Sequence, residues 1–209
     1  MTVRKPPVEA VVLDLGGVCL GYDFGIWAGQ VAPYCPPGYD PMTAFREYSQ
    51  EHGDAANRGQ LDLDHFHHWF VSRAGLGMDL EDFTHAWNHI FWPLEEMTAL
   101  IPRLRVPHYL LSNTNPAHVR HIRQHYQDLL GLFTQVFMSC EIGLAKPEPA
   151  VYQAVARQTG LPAAAHLFVD DMLPNVAGAQ AAGWQALHFT GPEALERELE
   201  ERGLLAGQA

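Results

Sequence analysis

The 209-residue chain is short of positive charge: 13 Lys and Arg stand against 24 Asp and Glu, giving a formal net charge of -11. Nucleic-acid grooves and anionic membrane surfaces need a basic footprint, so neither partner is expected. An anionic small substrate stays open, because a bound divalent cation inverts the local field. Cysteine is scarce too: Cys19, Cys35 and Cys140 form an odd, widely spaced set with no CxxC. That argues against a disulfide framework and for a reducing compartment. The opening run MTVRKPPVEAVVLDLGG has an apolar stretch too short for a signal peptide, broken by Asp14. No window approaches the ~18 apolar residues of a membrane span. A soluble cytoplasmic protein, monomeric or homodimeric, is the expectation. Internal repeats and low-complexity segments are absent, and the closing run GLLAGQA is expected to fray.

What is present suffices for one good-sized domain, or a core with a modest insertion, since 47% of residues are hydrophobic. Five short apolar runs with polar ends, VVLDL, HYLLSN, TQVFMS, HLFVDD and QALHFT, read as strands. Helical stretches lie between them, starting near Pro116, Pro147 and Pro174 and ending near Gly131, Gly160 and Gly183. Apolar strands alternating with helices imply an α/β fold whose parallel sheet is covered on both faces. From about Asp23 to Trp92 the pattern changes to helices joined by polar or Pro/Gly-rich connections such as YCPPGYDP (Tyr34 to Pro41). Asp62 and Asp79 are placed to cap helices over LDHFHHWFVSR and LEDFTHAWNHIF. In the latter, Phe83, Trp87, Ile90 and Phe91 follow the i, i+4, i+7, i+8 spacing of a buried helix face, so Trp87 and Trp92 are read as interior packing.

Ligands of open parallel sheets bind beyond the carboxyl ends of the strands. There the sequence puts Asp14 after the first run, Ser112 and Asn113 after the second, and Asp170 and Asp171 after the fourth. Lys146 lies on the loop that follows the third. Each has an ordinary reading on its own. Asp14 closes a turn, Ser112, Asn113 and Asn115 cap the helix before Pro116, and Lys146 is a solvated surface charge. The adjacent carboxylates Asp170 and Asp171 are harder to explain away, because they repel unless a cation or donors compensate. Together the four groups converge on one edge of one sheet.

The segments VVLDLGGV, LLSNTN, GLAKPEPAVY and LFVDDMLPNVAGAQAAG resemble the four ordered motifs of the haloacid dehalogenase-like hydrolase superfamily. They are most similar to its small phosphatases with a helical cap inserted after the first motif. The resemblance implies a Rossmann-like core over residues 1–20 and 96–209, interrupted by an α-helical cap over 21–95. It implies Asp14 as the nucleophile that forms an aspartyl-phosphate. It implies a Mg²⁺ held by Asp14, the Gly16 carbonyl and Asp171, with Asp170 one layer further out and Asn175 orienting the set. Ser112 and the Asn113 N–H would bind phosphoryl oxygens of a small phosphorylated substrate, while Lys146 offsets their charge. Gly17 would let the backbone curl around the phosphoryl group.

One departure stands out. Most phosphatases of this superfamily carry a second Asp two residues after the nucleophile, where this chain has Gly16. Losing that acid/base group costs about 10²–10⁴-fold on alkyl monoesters. A substrate with a good leaving group, such as an anomeric sugar phosphate, is the favoured escape. A cap histidine (His65, His67, His68, His85 or His89) supplying the proton is another, and decayed catalysis a third. Some sugar-phosphate phosphatases of the family share this Gly, including ones acting on glucose 1-phosphate, so a sugar phosphate is expected. The alternatives are a metal-free 2-haloacid dehalogenase and a catalytically weak binding or regulatory member.

Overall fold

In the computed structural model, which describes residues 7–206, the first apolar run becomes β1 (Ala10–Leu13) and leads into β2 (Leu20–Tyr22). Four helices follow, α1 (Phe24–Val31), α2 (Pro41–Asn57), α3 (Leu63–Ala74) and α4 (Leu80–Asn88), and then β3 (Phe91–Pro93). The chain continues through α5 (Glu95–Leu100), β4 (His108–Ser112), α6 (Pro116–His125), the single turn α7 (Gln127–Leu130) and β5 (Gln135–Met138). A second single turn, α8 (Ser139–Ile142), precedes α9 (Pro149–Thr159), β6 (His166–Asp170), α10 (Leu173–Ala181), β7 (Gln185–His188) and α11 (Pro192–Glu201).

Five of the strands form one parallel sheet in the order β5-β4-β1-β6-β7, with β1 at its centre. Because β1 is buried on both sides, its alternate residues feed two interiors. Val11 and Leu13 pack with Leu110, Leu167 and Val169 under α5, α6 and α11, which contribute Met97, Ile122 and Leu199. Ala10 and Val12 pack with Tyr109, Leu111 and Phe168 under α9 and α10, which contribute Tyr152 and Ala179. All five runs expected to be strands are strands, and Asp14, Ser112, Met138, Asp170 and His188 reach the same edge.

Helices α1 to α4 enclose a separate interior of Trp27, Phe66, Phe70, Phe83 and Trp87. Asp62 and Asp79 cap α3 and α4 as expected, accepting from the backbone N–H of His65 at 3.2 Å and of Asp82 at 2.9 Å. The structure differs from the helical expectation beyond Trp87. The α4 helix stops at Asn88, so Ile90 lies outside it and Phe91 opens β3, which pairs antiparallel with β2 and was not foreseen. Trp92 is therefore not interior packing: it is 42% exposed and lies across Gly21, where a side chain would collide with its indole. The ladder brings the two ends of the helical segment together beside β1. The segment also touches the sheet domain at α2, where Arg58 pairs with Glu148 and donates to the Gly143 carbonyl at 3.3 Å.

The helix expected near Pro147 begins two residues on, at Pro149, after a cis Lys146–Pro147 peptide, and ends at Gly160 as expected. One smaller correction concerns the core. In the closing run, Leu204 and Leu205 do not fray: each is only 6% exposed, and Leu205 bridges to Leu104. Burying two leucines outweighs the entropy of ordering so short a stretch. Residues 207–209 of that run lie outside the described residues.

Candidate active site

Asp14 is the first residue past β1, and its N–H is tied to the Val169 carbonyl at 2.9 Å, so the central strand aims it across the sheet edge. Its carboxylate Oδ1 accepts from the Leu15 N–H and from Lys146 Nζ, both at 2.7 Å. Lys146 is not a solvated charge. It is 5% exposed, and Nζ donates also to Asp170 Oδ2 at 2.7 Å and to the Leu111 carbonyl at 3.0 Å. All three ammonium donors are thus used. The loop that carries it is held by Asn113, whose Nδ2 donates to the Lys146 carbonyl at 2.8 Å while Oδ1 accepts the Lys146 N–H at 2.9 Å. Asn113 is a clamp for that loop, and the helix cap is Asn115, which accepts from the His118 N–H at 3.0 Å.

Asp170 is fully buried and has its acceptor capacity filled from within the protein. Oδ1 takes the Met172 N–H at 2.8 Å, Oδ2 takes Lys146, and Asn175 Nδ2 bridges both oxygens at 3.0 Å. Tyr152 donates to the Asn175 carbonyl at 2.8 Å and so fixes the residue that fixes Asp170. Asp171, half-buried, sits against Gly17. A Cβ there would come within 2.7 Å of its Cγ, and Gly17 has φ +78°. Gly17 therefore makes room for a carboxylate in a turn that only glycine adopts easily.

Asp14, Asp170 and Asp171 each present a carboxylate oxygen within 4.8 Å of the other two. One lysine faces three carboxylates, so negative charge is in excess. Burial pushes Asp14 up to about 7, against the pull of Lys146, and Asp170 pushes it in the same direction as burial. Asp171 is likewise raised, first by burial and then by Asp170. A cation is the physical remedy for such crowding, and an all-oxygen set suits a hard divalent ion.

A cleft of about 390 Å³ opens over this edge. Its floor holds Asp14, Gly16, Ser112, Asn113, Lys146 and Asp171, and Asn175 also borders it, so the sequence candidates other than Asp170 and Gly17 meet around one space. Its walls were not legible beforehand: Tyr22, Phe24, Phe91, His118, Ile122 and Met172. Gly16 matters to these walls. A Cβ at Gly16 would stand 3.1 Å from Tyr22 Cε1, so the missing side chain lets that ring lean over the turn after Asp14.

His118 is a second residue that the sequence reading missed. It is 5% exposed, with Nε2 3.1 Å from the Trp87 carbonyl and Nδ1 3.1 Å from Asn115 Nδ2. Asn115 Oδ1 already accepts, so Nδ2 donates to Nδ1, and Nε2 carries the proton given to Trp87. Burial pushes this imidazole down to about 3, which fixes it neutral and unsuited to deliver a proton. Ser139 was also missed, although it follows β5 at the same edge. Its hydroxyl accepts from the Thr114 N–H at 2.9 Å and donates to the Thr114 carbonyl at 3.2 Å, bracing the loop after Ser112.

The histidines considered as proton donors do not reach the cleft. His65 pairs with the Tyr48 hydroxyl, His67 with the Met78 carbonyl, and His85 and His89 stack on each other; none of these, nor His68, lines it. Asp23 caps α1 through the Gly25 N–H at 2.7 Å.

Comparison with known proteins agrees with this geometry. A haloacid dehalogenase-like hydrolase family model matches residues 8–183. The chain is 28% identical over 202 residues to the sesquiterpene phosphatase astK of Aspergillus oryzae, covering 92% of this chain and 95% of that one. Its fold resembles a Bacteroides thetaiotaomicron enzyme of the same family solved with magnesium and inorganic phosphate (TM-score 0.73, 23% identity, 87% and 93% of the two chains). It also resembles the L-2-haloacid dehalogenase RSc1362 (TM-score 0.69, 20% identity, 93% and 100%). With the family match spanning both the sheet and the helical segment, the chain belongs to the haloacid dehalogenase-like hydrolases.

Proposed function

We propose that this hydrolase is a Mg²⁺-dependent phosphatase acting through an aspartyl-phosphate on Asp14. The observation that carries the reading is the buried Lys146 held between Asp14 and Asp170, with Asp171 completing a three-carboxylate set. Displacement of halide from carbon has no use for that set, so the dehalogenase alternative is disfavoured. Asp14, Asp171 and the Gly16 carbonyl would hold the cation, while Asp170 is already saturated by Lys146, Met172 and Asn175. When bound, the ion supplies neutralisation of phosphoryl charge and keeps Asp14 ionised.

The protein's own groups do the rest. Asp14 is gripped through Oδ1, so Oδ2 is the oxygen for attack on phosphorus; the P–O bond to the leaving group breaks as the Oδ2–P bond forms, and the departing oxygen takes its proton from water. Ser112 and the Asn113 N–H receive phosphoryl oxygens, and Lys146 stabilises the charge that builds on them. Water then cleaves the acyl phosphate and restores Asp14.

We read residues 21–95 as a cap, with the β2–β3 ladder as its root. The cap and α6 line the cleft with Tyr22, Phe24, Phe91 and Ile122, and Met172, 53% exposed, stands at the rim. These walls suit an ester whose alcohol part is apolar better than the sugar phosphate expected from sequence, since beyond the floor only Asn57, Thr114 and the already bonded His118 could meet hydroxyl groups, against Tyr22, Phe24, Phe91, Ile122 and Met172. The sesquiterpene phosphatase among its relatives points in the same direction. The test is phosphate release from p-nitrophenyl phosphate, sugar phosphates and prenyl or alkyl phosphates, with and without Mg²⁺. Asp14→Asn should cut the rate by at least ~10³-fold. Activity that survives this change, or needs no cation, sinks the mechanism. A kcat/KM for sugar phosphates above that for every apolar ester sinks the substrate class alone.

A further inference from the structure

Away from the carboxylate site, four histidines gather where the cap meets the sheet domain. His85 and His89 lie one turn apart at the end of α4, with ring centroids 3.8 Å apart. His121 and His125 repeat that spacing on α6, at 4.2 Å. His89 faces His121 at 5.3 Å and joins the two pairs across the packed helices. Two imidazoles on one tetrahedral ion, at metal–nitrogen distances of about 2.0–2.1 Å, have centroids roughly 5 Å apart. The three spacings bracket that value.

The tautomers point the same way. His89 Nδ1 lies 2.7 Å from the His85 carbonyl, and His125 Nδ1 lies 2.9 Å from the His121 carbonyl. A carbonyl only accepts, so each Nδ1 carries the proton and each Nε2 keeps its lone pair. Histidines that bind metals are held in this manner, through a hydrogen bond from the other ring nitrogen. Burial first, then His125, His89 and His85, push His121 down to about 4, leaving it neutral. Among the described residues, only the aspartate trio already has three donor atoms mutually within 4.8 Å, so the histidines must converge by rotating. The rings of His85, His89 and His125 are exposed and can do so without disturbing the interior, although the two carbonyl hydrogen bonds must lengthen as the rings turn.

We propose that the seam between α4 and α6 is a second metal site, in which His85, His89, His121 and His125 bind a borderline transition-metal ion such as Zn²⁺. An all-nitrogen set selects such an ion over Mg²⁺. The ion ties the cap to α6, the helix that places His118 and Ile122 in the cleft wall.

The experiment uses tag-free, metal-stripped protein titrated calorimetrically with Zn²⁺, and with Co²⁺ read by visible absorption. One equivalent should bind with the intense visible bands of four-coordinate Co²⁺, distinct from any ion taken up by the carboxylates of Asp14 and Asp171, whose oxygen-rich set gives only weak bands. At metal ~100-fold above Kd, Tm should rise by about 5–10 °C. The His89→Ala/His121→Ala double variant should bind that equivalent more than ~100-fold more weakly, beyond what disturbing a ligand's supporting hydrogen bond costs. The exposed single change His125→Ala should weaken it in the same direction. Asp14→Asn, and His65→Ala/His68→Ala on α3, should leave it intact. The proposal is overturned if no equivalent binds, if it persists in both α4–α6 variants, or if Asp14→Asn removes it. None of these readouts depends on phosphatase activity.

Discussion

Trp27 and Lys146 are both almost sealed from water, and they are buried in opposite ways. Trp27 is 0% exposed among the rings of Phe45, Phe66, Phe70, Phe83 and Trp87, with centroids 5.5 to 6.1 Å away, and its indole N–H has no hydrogen-bond partner among the described residues. Lys146 has every donor assigned to a named oxygen. The interior of the helical segment is held by area and shape, which many substitutions preserve in part. The sheet edge is held by a polar network in which each member satisfies another, so removing one strands the rest. The cleft built between the two inherits a rigid floor and more adaptable walls.

The largest effect should therefore come from the floor. Lys146→Met leaves Asp14 and Asp170 buried without their cation, a loss of about 3–5 kcal/mol by analogy with other broken buried pairs. It should also cut kcat by ~10²–10³-fold, as losing one preorganised charge does. Denaturant unfolding and steady-state kinetics check both. An unchanged kcat would mean that the lysine only props the fold. The matching change in the helical segment, Trp27→Ala, should cost about 3 kcal/mol through the cavity it opens. Its kinetic signature should be a raised KM with kcat within a few-fold, because the floor is untouched. A kcat loss as large as that of Lys146→Met would erase the contrast between the two regions.

The same contrast explains what the sequence disclosed. The five core strands were legible because each is a short apolar run ended by a polar group, and a single rule about strand ends then collected Asp14, Ser112, Asn113, Asp170 and Asp171. Ser139 obeys that rule at the end of β5 and was passed over. Lys146 carried another unused signal, since Lys5 is the only other lysine in the chain. The walls obey no local rule. Tyr22, Phe91 and Ile122 come from distant segments, and only the three-residue β2–β3 ladder brings the first two together. Burial of His118 depends on the Trp87 carbonyl of another helix, which no spacing within α6 reveals.

His118 offers a test of the seam between the regions through pH. Its folded value, about 3, lies below the ordinary 6.5, so the neutral ring is what the fold accommodates. The sign follows from linkage: this stability is fully present above 6.5 and is lost as pH falls from there towards 3. The loss should be roughly 2 kcal/mol by pH 5. His118→Gln keeps a donor for Trp87 but does not titrate. Its stability in urea should fall less than that of the wild type between pH 7 and 5, and parallel curves would remove His118 from the account.

The smallest expected effect is the most pointed, because it falls where floor and wall touch. Gly16 has no positive φ, so the backbone accepts Asp there. The new Cβ would meet Tyr22 at 3.1 and 3.3 Å, but that ring is 39% exposed and can swing aside by a few tenths of an ångström. Gly16→Asp thus supplies a carboxyl group beside Asp14 while moving a wall residue. If the vacancy limits protonation of the leaving oxygen, hydrolysis of an alkyl phosphate should rise by ~10-fold or more. p-Nitrophenyl phosphate, whose leaving group needs no proton, should change by less than about 3-fold. Equal changes on both esters would mean that the substitution acts only by shifting Tyr22. In that case the glycine serves the shape of the cleft, and the missing acid has no bearing on the rate.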